Sequence, residues 1–531
     1  MLIELPGLAP MRRETQVDLG RSTRVDATLG VAGVAETVTV TAETPSIVTS
    51  TTGGANYTEA EIDKLATPRT LSGIAQLAPG LTSNTPNAGQ VTISGAFAYD
   101  NVFLIDGVDA NDNLFGTSNN LFIEAAIAEV QVLTSGVSAE YGRFSGGVVN
   151  AITKSGSNQF EGTFRVNLTN PSWTDETPFE RERDQDRPDE LSQVYEATFG
   201  GPILRDRLWF FSAGRFEEST DADPFPVTGI PVSRLNENTR YEGKLTGTIA
   251  NGHTLQGAYT NNATDQTRPT FGFSVVPGTI VSRTLPNNLA VVNYRGVLGS
   301  RLFATAQVSR KEFGFRNSGG TSTAITDSPF LTRGSAPGIV FSHYNAPYFD
   351  STDPEDRNNN QVAASLSYFL TTGRLGSHDI KGGFENYVSS RTGGNSQTAT
   401  DFVFQADYLT AGGEPVLNGQ QLIPTFVPGV TRAQNWLSTR GATIDIRTTS
   451  LYLHDKWTAN ENWTFDLGMR LRERRQRSDR RPDDGRYLDH RPEARGRVRS
   501  YRDRTARLPE HVCPLRRQVQ RGTVCGEHER R

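Results

Sequence analysis

The feature that most constrains the fold is an alternation of apolar and polar residues that recurs from Phe160 to Leu471. The clearest stretch is NWTFDLGMRL at 462–471, in which every second residue is apolar. A two-residue period is that of a β-strand with one apolar and one polar face. About eleven such segments occur, and the polar connections between them alternate between short and long. This region is therefore predicted to form a large antiparallel sheet.

Two architectures fit such a sheet. An up-and-down outer-membrane barrel has short turns at one end and long loops at the other, whereas a soluble β-sandwich or propeller also alternates. Segments of about ten residues, with Trp209, Trp457 and Trp463 near their ends, favour the barrel because aromatic side chains suit a membrane interface. The chain has no run of about 18 apolar residues, which excludes a membrane-spanning helix and leaves a barrel possible.

Residues 56–156 have a different pattern. Thr58 and Glu61 form a T-x-x-E capping box that predicts a helix carrying Ile62, and a second short helix is predicted to end at Pro79-Gly80. Strands are predicted at QVTISG, NVFLIDGV and AEVQVLTSG. Mixed helices and strands over about a hundred residues indicate a compact α+β domain.

The chain changes character after Leu471. The alternation stops, and 470–531 holds about 20 Arg, no Lys and both cysteines, Cys513 and Cys525, while the rest of the chain is acidic. A reading-frame slip in GC-rich DNA and an Arg-rich segment for RNA or an anionic surface both explain this composition. The abrupt change within a strand favours the slip. We therefore expect a disordered tail and no nucleic-acid partner.

Two stretches resemble the plug domain of the TonB-dependent receptors of the bacterial outer membrane: LIDGVDAND at 104–112 and EVQVLTSGVSAEYGRFSGGVVNAITKSGSN at 129–158. GGPILRDRLWFF at 200–211 and LHDKWTANENWTFDLGMRL at 453–471 resemble barrel hairpins of the Oar-like subgroup. In that subgroup a carboxypeptidase-regulatory-like β-sandwich precedes the plug, and 5–31 resembles its last strands. The resemblance implies a mainly β chain, with an α+β plug domain followed by an incomplete antiparallel transmembrane β-barrel.

These observations predict five parts. They are a remnant of the β-sandwich at 1–35, a TonB-box-like segment and linker at 36–55, the plug at 56–156, a partial barrel at 157–472 and the Arg-rich tail at 473–531. A plugged transporter barrel has about 22 strands, so eleven segments predict a fragment of a larger receptor. The start, MLIELPGLAPMRRE, has no recognisable secretion signal, which leaves a cytosolic protein or a missing N-terminus as alternatives.

The segment ETVTVTA is similar to the TonB box, a short extended motif of the family. The resemblance implies that the TonB protein binds it by strand addition, in which backbone groups pair and alternate side chains give specificity. An ordinary linker strand also fits V-T-V-T. The predicted partner-binding residues are Glu36, Thr37, Val38, Thr39, Val40, Thr41 and Ala42.

A glycine-rich stretch is predicted to join the plug to the barrel wall. Glycines permit tight bends and close approach of strands, Val148–Thr153 reads as a buried plug strand, and a Ser-Gly-Ser turn follows it. The predicted junction residues are Gly142, Gly146, Gly147, Ser155, Gly156 and Ser157.

No catalytic motif is present, so no enzyme activity and no cofactor are expected. Asp109, Asn111 and Asn113 have the spacing that opens an EF-hand, but Leu114 and Asn120 stand where Gly and Glu are required, so no metal site is predicted. The family resemblance implies energy-coupled uptake of an unidentified polar ligand (a siderophore, glycan or peptide) across the outer-membrane bilayer. The alternative is an adhesion or structural barrel that transports nothing.

Overall fold

The structure, a computed structural model, describes most of the chain between Gly53 and Arg480. The TonB-box-like segment 36–42 and the tail beyond Arg480 lie outside the described residues. The described residues are 2–3, 11–12, 53–65, 70–83, 85, 90–112, 114, 116–118, 123–175, 181, 189–224, 231–267, 274–275, 282–317, 321–328, 330–332, 343–344, 355–373, 375–393, 399–435, 442–460 and 463–480.

Five strands form a sheet in the first part of the described chain. Its spatial order is β1-β4-β5-β2-β3, in which β5 and β2 are parallel and the other neighbours are antiparallel. The predicted strand at 148–153 is confirmed as β5 and lies inside this sheet. The strands are β1 (Gly53–Thr58), β2 (Val102–Ile105), β3 (Val108–Asp109), β4 (Ile127–Ser135) and β5 (Val148–Thr153).

Two short helices cover one face of this sheet. The predicted capping box is confirmed, because the Glu61 carboxylate accepts hydrogen bonds from the Thr58 backbone N–H at 2.8 Å and the Thr58 hydroxyl at 2.9 Å. These bonds lower the pKa of Glu61, with the backbone bond as the larger cause. The helices are nevertheless short: α1 spans Glu59–Ile62 and α2 spans Leu71–Ala75.

The core lies between these helices, the sheet and a second sheet. Val130, Val132 and Val149 on one face of the first sheet are fully buried and pack in the same cluster as Leu289 and Val291 of the second sheet. Shared apolar contacts therefore fix the position of the first sheet against the second.

The second sheet is a meander in which each strand pairs with the next along the chain. Every neighbouring pair is antiparallel, and the path contains eleven strands within the described residues, the number of segments predicted. They are β6 (Glu161–Thr169), β7 (Ser192–Leu204), β8 (Leu208–Pro224), β9 (Pro231–Ala250), β10 (His253–Thr267), β11 (Asn287–Val297), β12 (Leu302–Phe315), β13 (Glu355–Thr372), β14 (Gly376–Thr392), β15 (Ala442–Asn460) and β16 (Trp463–Arg480).

The connections of this sheet alternate in length, as predicted. Those after β7, β9, β11, β13 and β15 have two to four residues, whereas those after β6, β8, β10, β12 and β14 have from 6 to 49. In the described part of the chain, β6 and β16 do not pair with each other, so the wall is an incomplete barrel.

Burial in the wall is the reverse of that in a water-soluble sheet. Apolar side chains on one face are exposed, such as Phe164 at 73% and Met469 at 59%, while polar side chains on the other face are buried, such as Lys311 at 1%. An outward apolar band and a polar interior are the arrangement of a transmembrane barrel. No helix among the described residues is long and apolar enough to span a membrane.

Three details differ from the sequence-based expectation. The wall strands have 9 to 20 residues instead of about ten, and the loop expected over Thr220–Asn238 is mostly strand, with only 225–230 as the connection. Strand β16 continues past Leu471 to Arg480, where Arg480 pairs with Ala442. Backbone pairing with a neighbouring strand extends these segments, although their sequences carry no regular apolar–polar alternation.

Shorter elements lie mainly in the connections. One of them, the strand Arg283–Leu285, pairs with β10. Four others form a small sheet: Phe330–Thr332, Phe402–Tyr408, Pro424–Thr425 and Arg432–Asn435. The remaining strands and 3-10 helices are Leu2–Ile3, Met11–Arg12, Leu81–Thr82, Thr92–Ile93, Ala98–Asp100, Asn111–Asp112, Thr117–Ser118, Glu124–Ala126, Pro171–Trp173, Ser274–Val275, Ile325–Asp327, His343–Tyr344, Thr410–Ala411, Glu414–Pro415, Leu417–Asn418 and Gln421–Leu422.

Candidate functional site between plug and barrel wall

Beside the apolar contact at Leu289 and Val291, the first domain contacts the polar inner face of the wall through charged side chains. One group of six, the Arg143 cluster, consists of three cations and three carboxylates and is close to electrically balanced. Its members are Asp109, Glu140, Arg143, Lys381, Glu385 and Arg470.

Arg143 lies at the centre of this cluster, in the loop between β4 and β5. Its backbone has a φ of 66°, an uncommon value for a residue other than glycine. The guanidinium contacts Asp109 Oδ2 at 3.0 Å and Glu385 Oε1 at 2.6 Å, and its carbon lies 3.8 Å from the centre of the Tyr387 ring. Burial alone would lower the pKa of Arg143, but the two carboxylates outweigh burial and raise it. Arg143 therefore joins a plug carboxylate to a wall carboxylate.

The wall side of the cluster is held by its own contacts. The other oxygen of Glu385 pairs with Arg470, which also donates to the backbone oxygen of Glu140 at 2.7 Å. Gln361 Nε2 donates to Glu385 at 3.0 Å, and Lys381 pairs with Glu140. The loop that carries Arg143 is therefore attached to β14 and β16, and Gln361 of β13 supports Glu385 from within the wall.

The stretch LIDGVDAND carries three carboxylates at a spacing of three residues, and two of them lie outside the Arg143 cluster. Asp106 Oδ2 contacts Lys244 Nζ on β9 at 2.9 Å, and Asp112 Oδ2 contacts Arg357 Nη1 on β13 at 2.6 Å. Asp109, between them, binds Arg143, and its backbone oxygen accepts from Asn359 at 3.1 Å. This hairpin therefore carries most of the anionic side of the interface.

A fourth contact involves Glu124, in the 3-10 helix before β4. Its carboxylate pairs with Arg215 and, at 3.0 Å, with Arg240. The wall residue Glu196 accepts a hydrogen bond from the N–H of Ala125 next to it. These contacts of charged wall residues with the plug thus come from β7, β8, β9, β13, β14 and β16.

The predicted junction residues occupy two separate places. Gly142, Gly146 and Gly147 lie in the Arg143 loop, inside the first domain. A Cβ on Gly147 would lie 2.6 Å from Ile93 Cγ2 and 2.7 Å from the Leu133 oxygen, so these atoms leave no space for a side chain. None of the three has a positive φ, so the loop needs these glycines for close approach rather than for a left-handed turn.

Ser155, Gly156 and Ser157 lie between the end of β5 and the start of β6. The Ser155 hydroxyl accepts from Gln256 of the wall at 3.2 Å, and the Ser157 hydroxyl accepts from the N–H of Gln159 at 3.1 Å. A Cβ on Gly156 would lie 2.2 Å from the Phe210 backbone oxygen. This segment therefore runs directly against the wall strand β8. Its role as a functional junction stays a prediction, as does TonB binding by 36–42.

A substitution at Gly156 tests this close approach. We expect Gly156→Val to lower the free energy of unfolding by about 1–3 kcal/mol, because the new side chain collides with backbone atoms. Thermal unfolding of the purified protein in detergent measures the effect. Gly214→Val on the same wall is the matched control, because a Cβ there meets nothing within 4 Å. Equal stability of the two variants would contradict the close packing of 156 against β8.

The EF-hand spacing around Asp109 has a structural explanation. Asp109 Oδ1 accepts from the N–H of Asn111 at 3.0 Å, and the Asn111 side chain bonds to the backbone of Phe103 and Asn101, both at 2.7 Å. These oxygens hold the β2–β3 hairpin together. Among the described residues no group of three or more His, Cys, Asp or Glu side chains is placed to hold a metal ion.

A wall that is apolar outside and polar inside, with a small α+β domain attached to its inner face by ion pairs, defines the class of plugged transmembrane β-barrels. The protein belongs to the TonB-dependent receptors and is an outer-membrane protein. The family model "Outer membrane beta barrel domain" matches residues 152–225 and 218–488, and "TonB-dependent Receptor Plug Domain" matches 41–149.

Relatives and solved structures agree with this family. The chain is 30% identical over 299 residues to the TonB-dependent transporter Oar of Myxococcus xanthus, a match that covers 48% of this chain and 27% of Oar. The outer membrane transporter YddB from Escherichia coli matches with a TM-score of 0.55 at 17% identity, over 80% of this chain and 57% of YddB. The siderophore receptor PirA from Acinetobacter baumannii gives 0.55 at 16% identity over the same shares. The chain thus spans little more than a quarter of Oar and just over half of the two solved receptors.

Proposed function

We propose that the protein takes part in the energy-coupled uptake of a polar ligand, of the siderophore, glycan or peptide class, across the outer membrane. The observation that carries this proposal is the plug attached to the wall by ion pairs. Such contacts exchange for water when they separate, whereas a continuous apolar interface would resist separation. A plug held in this way blocks the lumen and remains removable.

Each predicted part of the chain has its own role in this proposal. The segment 36–42 would bind TonB, the linker to residue 55 would transmit the pull, the plug at 56–156 would move, and the barrel from 157 would enclose the path. Strand β1 supports this order, because it begins at Gly53, within the predicted linker, and lies at the edge of the plug sheet. A pull on the linker therefore reaches an edge strand, which has a single neighbour to release. The remnant at 1–35 would be the end of a separate β-sandwich domain.

Energy coupling distinguishes uptake from adhesion. We expect bacteria that produce this receptor to accumulate at least one member of a labelled panel of ferric siderophores, oligosaccharides and peptides, because uptake would draw on the proton gradient through TonB. Accumulation should stop when tonB is deleted, while the amount of receptor in the outer membrane stays the same. Accumulation that continues without TonB would contradict the proposal, and cell attachment without any accumulation would support the adhesion alternative.

A further inference from the structure

Glu242 on strand β9 is a buried carboxylate that the contacts described above do not use. It is 2% exposed on the inner face of the wall, and neither of its oxygens makes a hydrogen bond of normal geometry with the described residues, although Lys244 is near enough to attract it electrostatically. Its neighbours across the sheet are Ala213 and Thr260. Because an ionised carboxylate without a partner is unfavourable in a buried site, the plugged state holds Glu242 at a free-energy cost.

Lys244 lies two residues further along, on the same face of the same strand. Its ammonium is fully engaged by the plug: it contacts Asp106 Oδ2 at 2.9 Å and the Thr153 backbone oxygen at 3.0 Å, and it also bonds to the Thr153 hydroxyl. Asp106 in turn accepts from the N–H of Thr153 at 3.0 Å. These hydrogen-bond and ion-pair partners of Lys244 all belong to the plug, although a wall carboxylate lies close by on its own strand.

The same two-residue spacing recurs at other wall cations that contact plug carboxylates. Arg357 pairs with Asp112 of the plug and, at 2.6 Å, with Glu355 of its own strand. Arg215 pairs with Glu124 of the plug and lies 3.4 Å from Glu217 of its own strand. We name the three wall residues Glu217, Glu242 and Glu355 the standby carboxylates. In the plugged state two of them already contact their cation, and Glu242 does not.

We propose that the standby carboxylates neutralise the wall cations when the plug leaves, and that Lys244 exchanges Asp106 for Glu242 in this step. The inference rests on the proposed function, because it requires a plug that moves. Withdrawal of the plug removes Asp106, Asp112 and Glu124 together. The wall cations Lys244, Arg357 and Arg215 would then lose their plug carboxylates. With a standby carboxylate two residues away, each cation keeps an opposite charge.

The exchange also lowers the free-energy difference between the two states. In the plugged state Lys244 is paired and Glu242 is not, whereas in the open state the two pair with each other. Loss of the Asp106 contact is therefore offset by a gain at Glu242. Lys244 acts as a positioning residue for the plug, and Glu242 acts as the residue that eases its release.

A structure of the Asp106→Asn variant of the full chain tests the exchange directly. The amide still accepts from the Thr153 N–H but lacks the charge that holds Lys244. We expect Lys244 Nζ within hydrogen-bonding distance of a Glu242 oxygen. If Lys244 stays on Thr153 and Glu242 remains without a partner, the exchange is wrong.

Hydrogen exchange of β5 amides in the purified receptor gives a second readout that needs neither TonB nor a ligand. Glu242→Gln should slow exchange about tenfold, because it removes the buried charge that disfavours the plugged state and that would receive Lys244 in the open state. Glu355→Gln is the matched control, since Glu355 already contacts Arg357, and we expect no slowing. Unchanged or faster exchange in Glu242→Gln would overturn the inference, while the uptake experiment would remain unaffected by that result.

Discussion

Substitution of Arg143 by Met should loosen the plug more than any other single change at the interface. The variant leaves Asp109 and Glu385, with side chains 4% and 9% exposed, without the cation that joins them. Breaking a buried ion pair by removing one partner costs about 3–5 kcal/mol. Hydrogen exchange of plug amides measures this directly, and about 3 kcal/mol corresponds to exchange more than a hundredfold faster when opening is the limiting equilibrium.

Two controls separate the role of the cluster from a general effect of losing a charge. Arg165→Met removes an ion pair with Asp63 whose side chains are 37% and 45% exposed, and such a pair contributes about 0–1 kcal/mol. Arg143→Lys retains the charge but cannot contact Asp109 and Glu385 through two separate nitrogens, so we expect an intermediate increase in the exchange rate. Similar exchange rates in Arg143→Met and Arg165→Met would show that the Arg143 cluster does not hold the plug.

The arrangement of the cluster explains how a strong attachment stays reversible. When plug and wall separate, Arg143 keeps Asp109, because both belong to the plug, and Arg470 keeps Glu385, because both belong to the wall. Each surface therefore retains one ion pair. The contacts that are lost are those of Arg143 with Glu385 and of Glu140 with Lys381 and Arg470, so the cost of separation is smaller than the number of charges suggests.

The wall was predictable from the sequence because lipid dictates its pattern. Hydrocarbon requires an apolar side chain at every second position, so NWTFDLGMRL reveals strand, face and membrane together. The same rule gives no signal where the alternation stops. At Thr220–Asn238 and beyond Leu471 the alternation disappears from the sequence, and pairing with the neighbouring strand maintains the sheet.

The contacts at the interface were not predictable in the same way. Arg143 and Glu385 are 242 residues apart, and a local pattern carries no information about such a pair. One signal was present in the sequence: charged residues such as Lys244 and Glu385 interrupt apolar strands on the inward face. The glycines around Arg143 indicated a closely packed loop, but the residue that joins this loop to the wall is Arg143 itself.

Deletion of Glu36–Ala42 should abolish energy coupling while leaving the plug in place. If these residues bind TonB as an added strand, affinity comes mainly from backbone hydrogen bonds along the segment, and without the segment a partner edge has nothing to pair with. We expect loss of binding to the purified periplasmic domain of TonB, and loss of uptake of any panel ligand that the unaltered receptor accumulates. Plug amides should exchange at unchanged rates, because the contacts of Arg143 and Lys244 lie elsewhere.

Substitutions inside the segment 36–42 test whether TonB binding depends on its backbone hydrogen bonds or only on the length of the chain before the plug. Val40→Pro removes one N–H donor and disrupts an added strand, so it should reproduce the deletion, whereas Val40→Thr keeps a strand-forming residue and should retain most binding. Deletion of 45–51, also seven residues, shortens the linker but leaves the segment intact. TonB binding that survives Val40→Pro but not the 45–51 deletion would place recognition in the linker, and the movement of the plug would then begin closer to β1.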